Sequence, residues 1–246
     1  MEDTFPRLKE GGGDTYTNRC FTFDGFKWQE NMPPSTEEHS RSYSFNVPDI
    51  GWWIFDAGYN RYSSSEVFNK EGVWEPGPSQ PSCNSSDNLP DDFCSVQLNA
   101  THTAIIGGKL SDTSIADVMF YDWTTSAWTP GPPLQTPRRE HDCTSFGNSR
   151  MMVAGGTSLF GEEVASVEIY DSAIDSWYYS EDLPEEPWLC CYHELITWAG
   201  NPVWLNSYNI WKFEEGAWSR LESGVADYYH SDDLLLLVPD DFIPAC

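Results

Sequence analysis

The chain repeats itself about every fifty residues, and that period limits what it can fold into more than any other feature. The clearest unit runs Met151-Met152-Val153-Ala154-Gly155-Gly156, then Val167-Glu168-Ile169-Tyr170-Asp171, then Asp175-Ser176-Trp177. The unit before it reads Thr103-Ala104-Ile105-Ile106-Gly107-Gly108, Val118-Met119-Phe120-Tyr121-Asp122 and Ser126-Ala127-Trp128. Upstream lie Trp53-Ile54-Phe55-Asp56-Ala57-Gly58, Glu66-Val67-Phe68-Asn69 and Gly72-Val73-Trp74. A decayed downstream unit has Val203-Trp204-Leu205-Asn206, Ile210-Trp211-Lys212-Phe213 and Gly216-Ala217-Trp218. The first unit is truncated to Gly11-Gly12-Gly13, Cys20-Phe21-Thr22-Phe23-Asp24 and Gly25-Phe26-Lys27-Trp28. From Trp28 to Trp218 the marker tryptophan returns after 46, 54, 49 and 41 residues, and Gly58, Gly108 and Gly156 are 50 and 48 apart. Five tryptophans in register are not a chance pattern.

Short apolar runs bounded by turn residues read as strands, and 18 Gly and 17 Pro supply the turns. Gly-Gly, then Tyr, then Trp at set offsets with this period resembles the kelch repeat. The resemblance spans Gly11 to Trp218 or beyond, and Pro137-Arg138 is similar to the Pro-Arg that opens many such repeats. It implies an all-β kelch-type propeller, a single domain over 1–246 whose four-stranded blades stack radially because none can bury both faces alone. The blade stretches fall at 11–28, 39–74, 93–128, 141–177 and 190–218. A closing strand at 230–239 is expected to pair with the N-terminal blade, which gives five blades, or six if N-terminal sequence is missing. On this reading the register tryptophans and tyrosines fill the wedges between sheets.

The 39 Asp and Glu against 13 Lys and Arg give a net charge of −26, which repels nucleic acid and anionic membrane surfaces. The longest apolar run, Leu234 to Val238, is too short to cross a bilayer, so no membrane insertion is expected. Two sequons, at Asn84 and Asn99, and seven cysteines lean towards an extracellular setting, while the absence of a signal-type start at Met1 keeps a cytoplasmic one open. Cys94, Cys143 and Cys190-Cys191 recur in register, which favours small buried packing residues over bonding. Cys83 and Cys94 bracket a polar loop and are candidates to pair; Cys20 and Cys246 are candidates to staple the ring closure.

His39, His141, His193 and His230 take similar repeat positions; a cation-binding ring is one reading, strand-starting hydrogen bonds the other. No zinc spacing, calcium loop, nucleophile elbow or nucleotide fingerprint occurs, so neither catalytic residue nor cofactor is expected. The resemblance implies a non-catalytic module that binds a protein or peptide through loops on one face. Those loops hold Tyr59, Asn60, Arg61, Tyr62, Lys109 and Phe160 after the Gly-Gly strands, and Arg138, Arg139 and His141 between blades. Arg61, Arg138 and Arg139 stand out in so acidic a chain as candidates to pair an acidic motif, against the alternative that neighbouring carboxylates hold them. A sugar-mutarotase type of propeller enzyme, or the substrate-recognition part of a ubiquitin-ligase adaptor without its upstream domain, are the competing functions.

Overall fold

The computed structural model describes residues 20, 22–23, 28–29, 32–37, 42–56, 65–79, 90–147, 149–184, 193–206 and 209–221. Every regular element among them is a strand. Each of the four full repeat units folds into an antiparallel four-stranded meander. Sheet 1 contains Ser42–Val47, Gly51–Asp56, Ser65–Asn69 and Trp74–Pro76. Sheet 2 contains Cys94–Gln97, His102–Ile106, Val118–Asp122 and Ala127–Pro130. Sheet 3 contains Asp142–Phe146, Arg150–Ala154, Val167–Asp171 and Ser176–Tyr179. Sheet 4 contains Glu194–Trp198, Asn201–Leu205, Ile210–Glu214 and Ala217–Arg220. The truncated first unit forms a hairpin of Thr22–Phe23 and Trp28–Gln29. The expected closing strand at 230–239 lies outside the described residues, as do Cys83, Cys190, Cys191, Cys246, His39 and His230.

The repeat's aromatic code is a pairing register. Phe68 lies directly across from Trp74, Tyr121 from Trp128, Tyr170 from Trp177 and Phe213 from Trp218. Their ring centroids are 5.1, 5.0, 5.4 and 5.1 Å apart, close enough for each pair to add about 0.5–1.5 kcal/mol beyond area burial. Each indole N–H then donates to a carbonyl in the segment that precedes its own sheet. Trp74 bonds Pro33 at 2.9 Å, Trp128 bonds Ser79 at 2.7 Å, Trp177 bonds Pro132 at 2.9 Å and Trp218 bonds Glu181 at 3.3 Å. The marker tryptophan thus closes its blade, and Trp128, Trp177 and Trp218 also pack into the seams between sheets.

The core is a series of seams between sheets. Val47, Trp53, Val67, Phe93 and Ile105 fill the seam of sheets 1 and 2. Val96, Ile106, Phe120, Met151, Val153 and Tyr170 fill the next. Met152, Ala154, Ile169, Leu195, Trp204 and Phe213 fill the third. Side chains alternate across a strand, so Met151 and Val153 serve one seam of sheet 3 while Met152 and Ala154 serve the other. This explains why the strand before each Gly-Gly pair reads as continuously apolar: it is buried on both faces.

First strands of successive sheets lie side by side. Across them Tyr43 Oη donates to the Phe93 carbonyl at 3.0 Å, and Thr144 Oγ1 meets Thr197 Oγ1 at 2.9 Å. Between sheets 2 and 3 the link is covalent: Cys94 is bonded to Cys143, with Cα atoms 6.0 Å apart. This corrects both the reading of the register cysteines as packing residues and the pairing of Cys94 with Cys83. The two cysteines are 49 residues apart, one repeat, and stacking turns that distance into direct adjacency. Cys20 is buried.

Peptide mapping without reductant is expected to recover a Cys94–Cys143 cross-link. Replacing Cys143 by Ser should lower unfolding free energy by about 2–4 kcal/mol in denaturant titrations under oxidising conditions.

Candidate functional site

In an antiparallel meander, the loop between strands two and three and the connector to the next sheet emerge at the same end. That end carries the segments 107–117 and 155–166 and the connector around 138–141. Three features knit them together. Arg138–Arg139 pairs antiparallel with Thr157–Ser158, Ser114 Oγ donates to the carbonyls of Thr157 and Ser158 at 3.1 Å each, and the Gly108 N–H donates to the Arg138 carbonyl at 2.8 Å. Loops of sheets 2 and 3 therefore form one stiff surface.

Arg138, expected to meet a ligand, is 0% exposed. Its Nη1 donates to the carbonyls of Gly155 and Ser166 at 3.0 and 2.8 Å; its Nη2 donates to Ser166 Oγ and to Glu168 Oε1, both at 2.9 Å. Glu168 is equally buried and also accepts the backbone N–H groups of Gln135 and Thr136 at 2.6 and 3.0 Å. Burial pulls the Arg138 pKa down from its ordinary value, and the Glu168 charge opposes that shift. Arg138 is a bolt between connector and sheet. Sheet 1 uses a similar carboxylate device: Glu66 accepts the N–H groups of Thr36 and Glu37 at 3.1 and 3.0 Å.

Lys109 is likewise buried, with Nζ 3.2 Å from Asp92, 3.8 Å from Asp91 and 3.9 Å from Asp112. Burial and the neighbouring Asp92 raise the Asp91 pKa, partly countered by Lys109. Arg139 stays partly open, its side chain 24% exposed; Nη1 donates to the Asp112 carbonyl at 3.1 Å and Nε lies 4.0 Å from Glu140.

His141 is buried and explains the glycine pairs on either side of it. A Cβ on Gly107 would lie 2.7 Å from both His141 Cε1 and the Arg138 carbonyl, and a Cβ on Gly156 would lie 2.7 Å from His141 Cβ. Both glycines have positive φ, +60° and +90°. Burial, then the Arg138 charge, drives the His141 pKa down to about 3, so it is neutral near pH 7. His193 stands against Gly155 of sheet 3 as His141 stands against Gly107 of sheet 2. Burial lowers its pKa, but the 2.8 Å bond to Asp142 and that carboxylate's charge outweigh the effect and leave it raised. Both histidines are thus packed between sheets. Among the described residues no group of three or more His, Cys, Asp or Glu is arranged to hold a metal.

Of the expected binding residues, Lys109, Arg138 and His141 are therefore corrected to internal roles. Tyr59, Asn60, Arg61, Tyr62 and Asn84 lie outside the described residues. Asn99 sits at the opposite end, its Oδ1 accepting the N–H groups of Thr101 and His102 at 2.9 and 3.0 Å. Phe160 is 83% exposed and Leu159 beside it is 46% exposed. Their turn is closed by Ser158: its N–H donates to the Glu162 carbonyl at 2.8 Å, and its carbonyl accepts the Gly161 N–H at 3.0 Å. Ser158 Oγ also accepts the N–H groups of Phe160 and Glu162 at 3.3 and 3.2 Å. Sequence reasoning missed Glu168, although a carboxylate in the apolar strand Val167-Glu168-Ile169-Tyr170, matched by Glu66 in sheet 1, signals a buried acceptor.

Replacing Arg138 by Ala leaves Glu168 buried without its cation and should cost about 3–5 kcal/mol in urea unfolding, against less than about 1 kcal/mol for Arg139→Ala. Because the His141 pKa is lower folded than unfolded, its protonation favours the unfolded chain as pH falls below about 6.5. Stability should then drop by about 1.4 kcal/mol per pH unit towards pH 5, and the His141→Gln variant should show a shallower slope.

No family model matches the chain. It is similar to an F-box/kelch-repeat protein of Arabidopsis thaliana, 31% identical over 86 residues, which is 35% of this chain and 22% of that protein. A second Arabidopsis F-box/kelch-repeat protein is 29% identical over 114 residues, 43% of this chain and 29% of that protein. The human Kelch-like protein 34 is 38% identical over 69 residues, 28% of this chain and 11% of that protein. The chain spans less than a third of each of these three relatives. With its Gly-Gly, Tyr and Trp units folded as successive four-stranded sheets, the chain is similar to the kelch-repeat proteins that it matches.

Proposed function

We propose that the chain is a non-catalytic protein-interaction scaffold, a five-bladed kelch propeller that binds a protein or peptide at the end carrying Arg139, Leu159 and Phe160. The observation that carries this reading is Phe160: a large apolar side chain, 83% exposed, on a turn tied down by Ser158 and braced by the neighbouring sheet. Exposed aromatics on rigid loops are typical anchors for partners. A binder is favoured over an enzyme because Lys109, Arg138 and His141, the polar groups at this end best suited to a substrate, are committed inside the fold.

The five-blade count is supported by four full sheets plus the hairpin Thr22–Phe23 and Trp28–Gln29; the segment 230–239, which the reading takes to complete that blade, lies outside the described residues. Two relatives bear F-box in their names, which supports a second reading as the substrate-recognition part of a ubiquitin-ligase adaptor.

A photoreactive phenylalanine analogue at position 160 is expected to cross-link a partner in cells. Phe160→Ala should weaken that partner about tenfold or more with an unchanged melting temperature, as loss of an interface anchor does. Ile174→Ala, at an exposed turn of the opposite end, should leave binding intact. Indifference to Phe160→Ala, or loss on Ile174→Ala instead, rejects the reading.

A further inference from the structure

We infer that the Leu159–Phe160 knuckle takes a basic peptide segment carrying an apolar anchor. This inference rests on that end being the binding face, and it deepens that reading by naming the partner's chemistry. The expectation from the sequence was the opposite, an acidic motif held by arginines. Among the described residues, the cations at this end already have partners. Lys109 lies against Asp91, Asp92 and Asp112; Arg138 is sealed against Glu168; Arg139 spends Nη1 on the Asp112 carbonyl and lies beside Glu140.

The carboxylates are differently placed. Glu162 and Glu163 follow the knuckle after Gly161 and are exposed. The Asp112 side chain is 97% exposed on the adjoining loop, which Ser114 ties to Thr157 and Ser158. An exposed apolar pair is thus set beside exposed carboxylates, of which Asp112 also lies 3.9 Å from Lys109 Nζ, in a chain whose net charge is −26. Charges on one such loop cluster act together within a screening length of about 8 Å. An acidic segment is repelled as it approaches Phe160. A segment with Lys or Arg flanking a large apolar residue buries that residue on Leu159 and Phe160 while its cations meet Asp112, Glu162 and Glu163.

The test presents the whole 246-residue chain to a phage library of random dodecapeptides and measures the selected peptides by fluorescence anisotropy. Net-positive peptides with at least one Leu, Ile, Phe or Trp are expected, weakening as salt rises. Glu162→Lys with Glu163→Lys should weaken them about tenfold or more, and Phe160→Ser should abolish binding. The same reversal at the far end, Glu71→Lys with Glu215→Lys, should change affinity by less than about twofold, since distant exposed charges are screened.

Equal losses from the two double variants would mean general attraction to an acidic protein and overturn the inference, as would selection of neutral or acidic peptides or of none. Acidic peptides whose binding is lost in Phe160→Ser would sink the basic partner while keeping the binding face. Peptides indifferent to Phe160→Ser would sink the face itself.

Discussion

The four-stranded sheets depend on how each marker tryptophan is held at both ends. Its ring lies across from the Tyr or Phe of the neighbouring strand, and its indole N–H reaches back to a carbonyl of the segment that leads into the same sheet. One residue therefore fixes strand register, fills the wedge and closes the blade on its own connector. The ring takes this place while the indole N–H keeps a hydrogen-bond partner only when the connector passes at the right distance. With the connector fixed, the first strand of the sheet is placed against its predecessor. The three seams then carry three different links: a tyrosine hydroxyl on a carbonyl, a disulfide and a pair of threonines.

The stiffness of the loop face follows from that arrangement. Arg138 and Glu168 gather the carbonyls of Gly155 and Ser166 and the N–H groups of Gln135 and Thr136, so the connector cannot move without exposing buried charge. His141 closes the same corner between Gly107 and Gly156, where any side chain on those glycines would collide with it. Such a base holds the short turn that projects Leu159 and Phe160. Polar groups that look functional in isolation serve here as mortar, and among the described residues Leu159 and Phe160 project outward beside exposed carboxylates.

Much of the fold was legible along the chain because strand periodicity, turn glycines and in-register tryptophans are local signals. Phe160 was legible too, as a large apolar residue in a segment that must be a loop. Arg138 was not, since the same residue at the same place serves a partner or a buried carboxylate depending on what stands about 30 residues later in the chain. The position of Glu168 inside an apolar strand was the available clue. Cys94 and Cys143 misled for a related reason: recurrence at one period looks like packing, yet one period apart is also the spacing at which adjacent blades bring residues together.

By itself, then, the sequence determined a repeating all-β architecture, its acidic character and the places of its turns. Hydrophobic alternation and turn chemistry act over a few residues and are written in order along the chain. Only the tertiary structure decided which charges face water. That outcome depends on stacking, which brings Arg138 to Glu168, Lys109 to Asp92 and Cys94 to Cys143, and so takes into the interior two of the cations that the sequence offered a ligand.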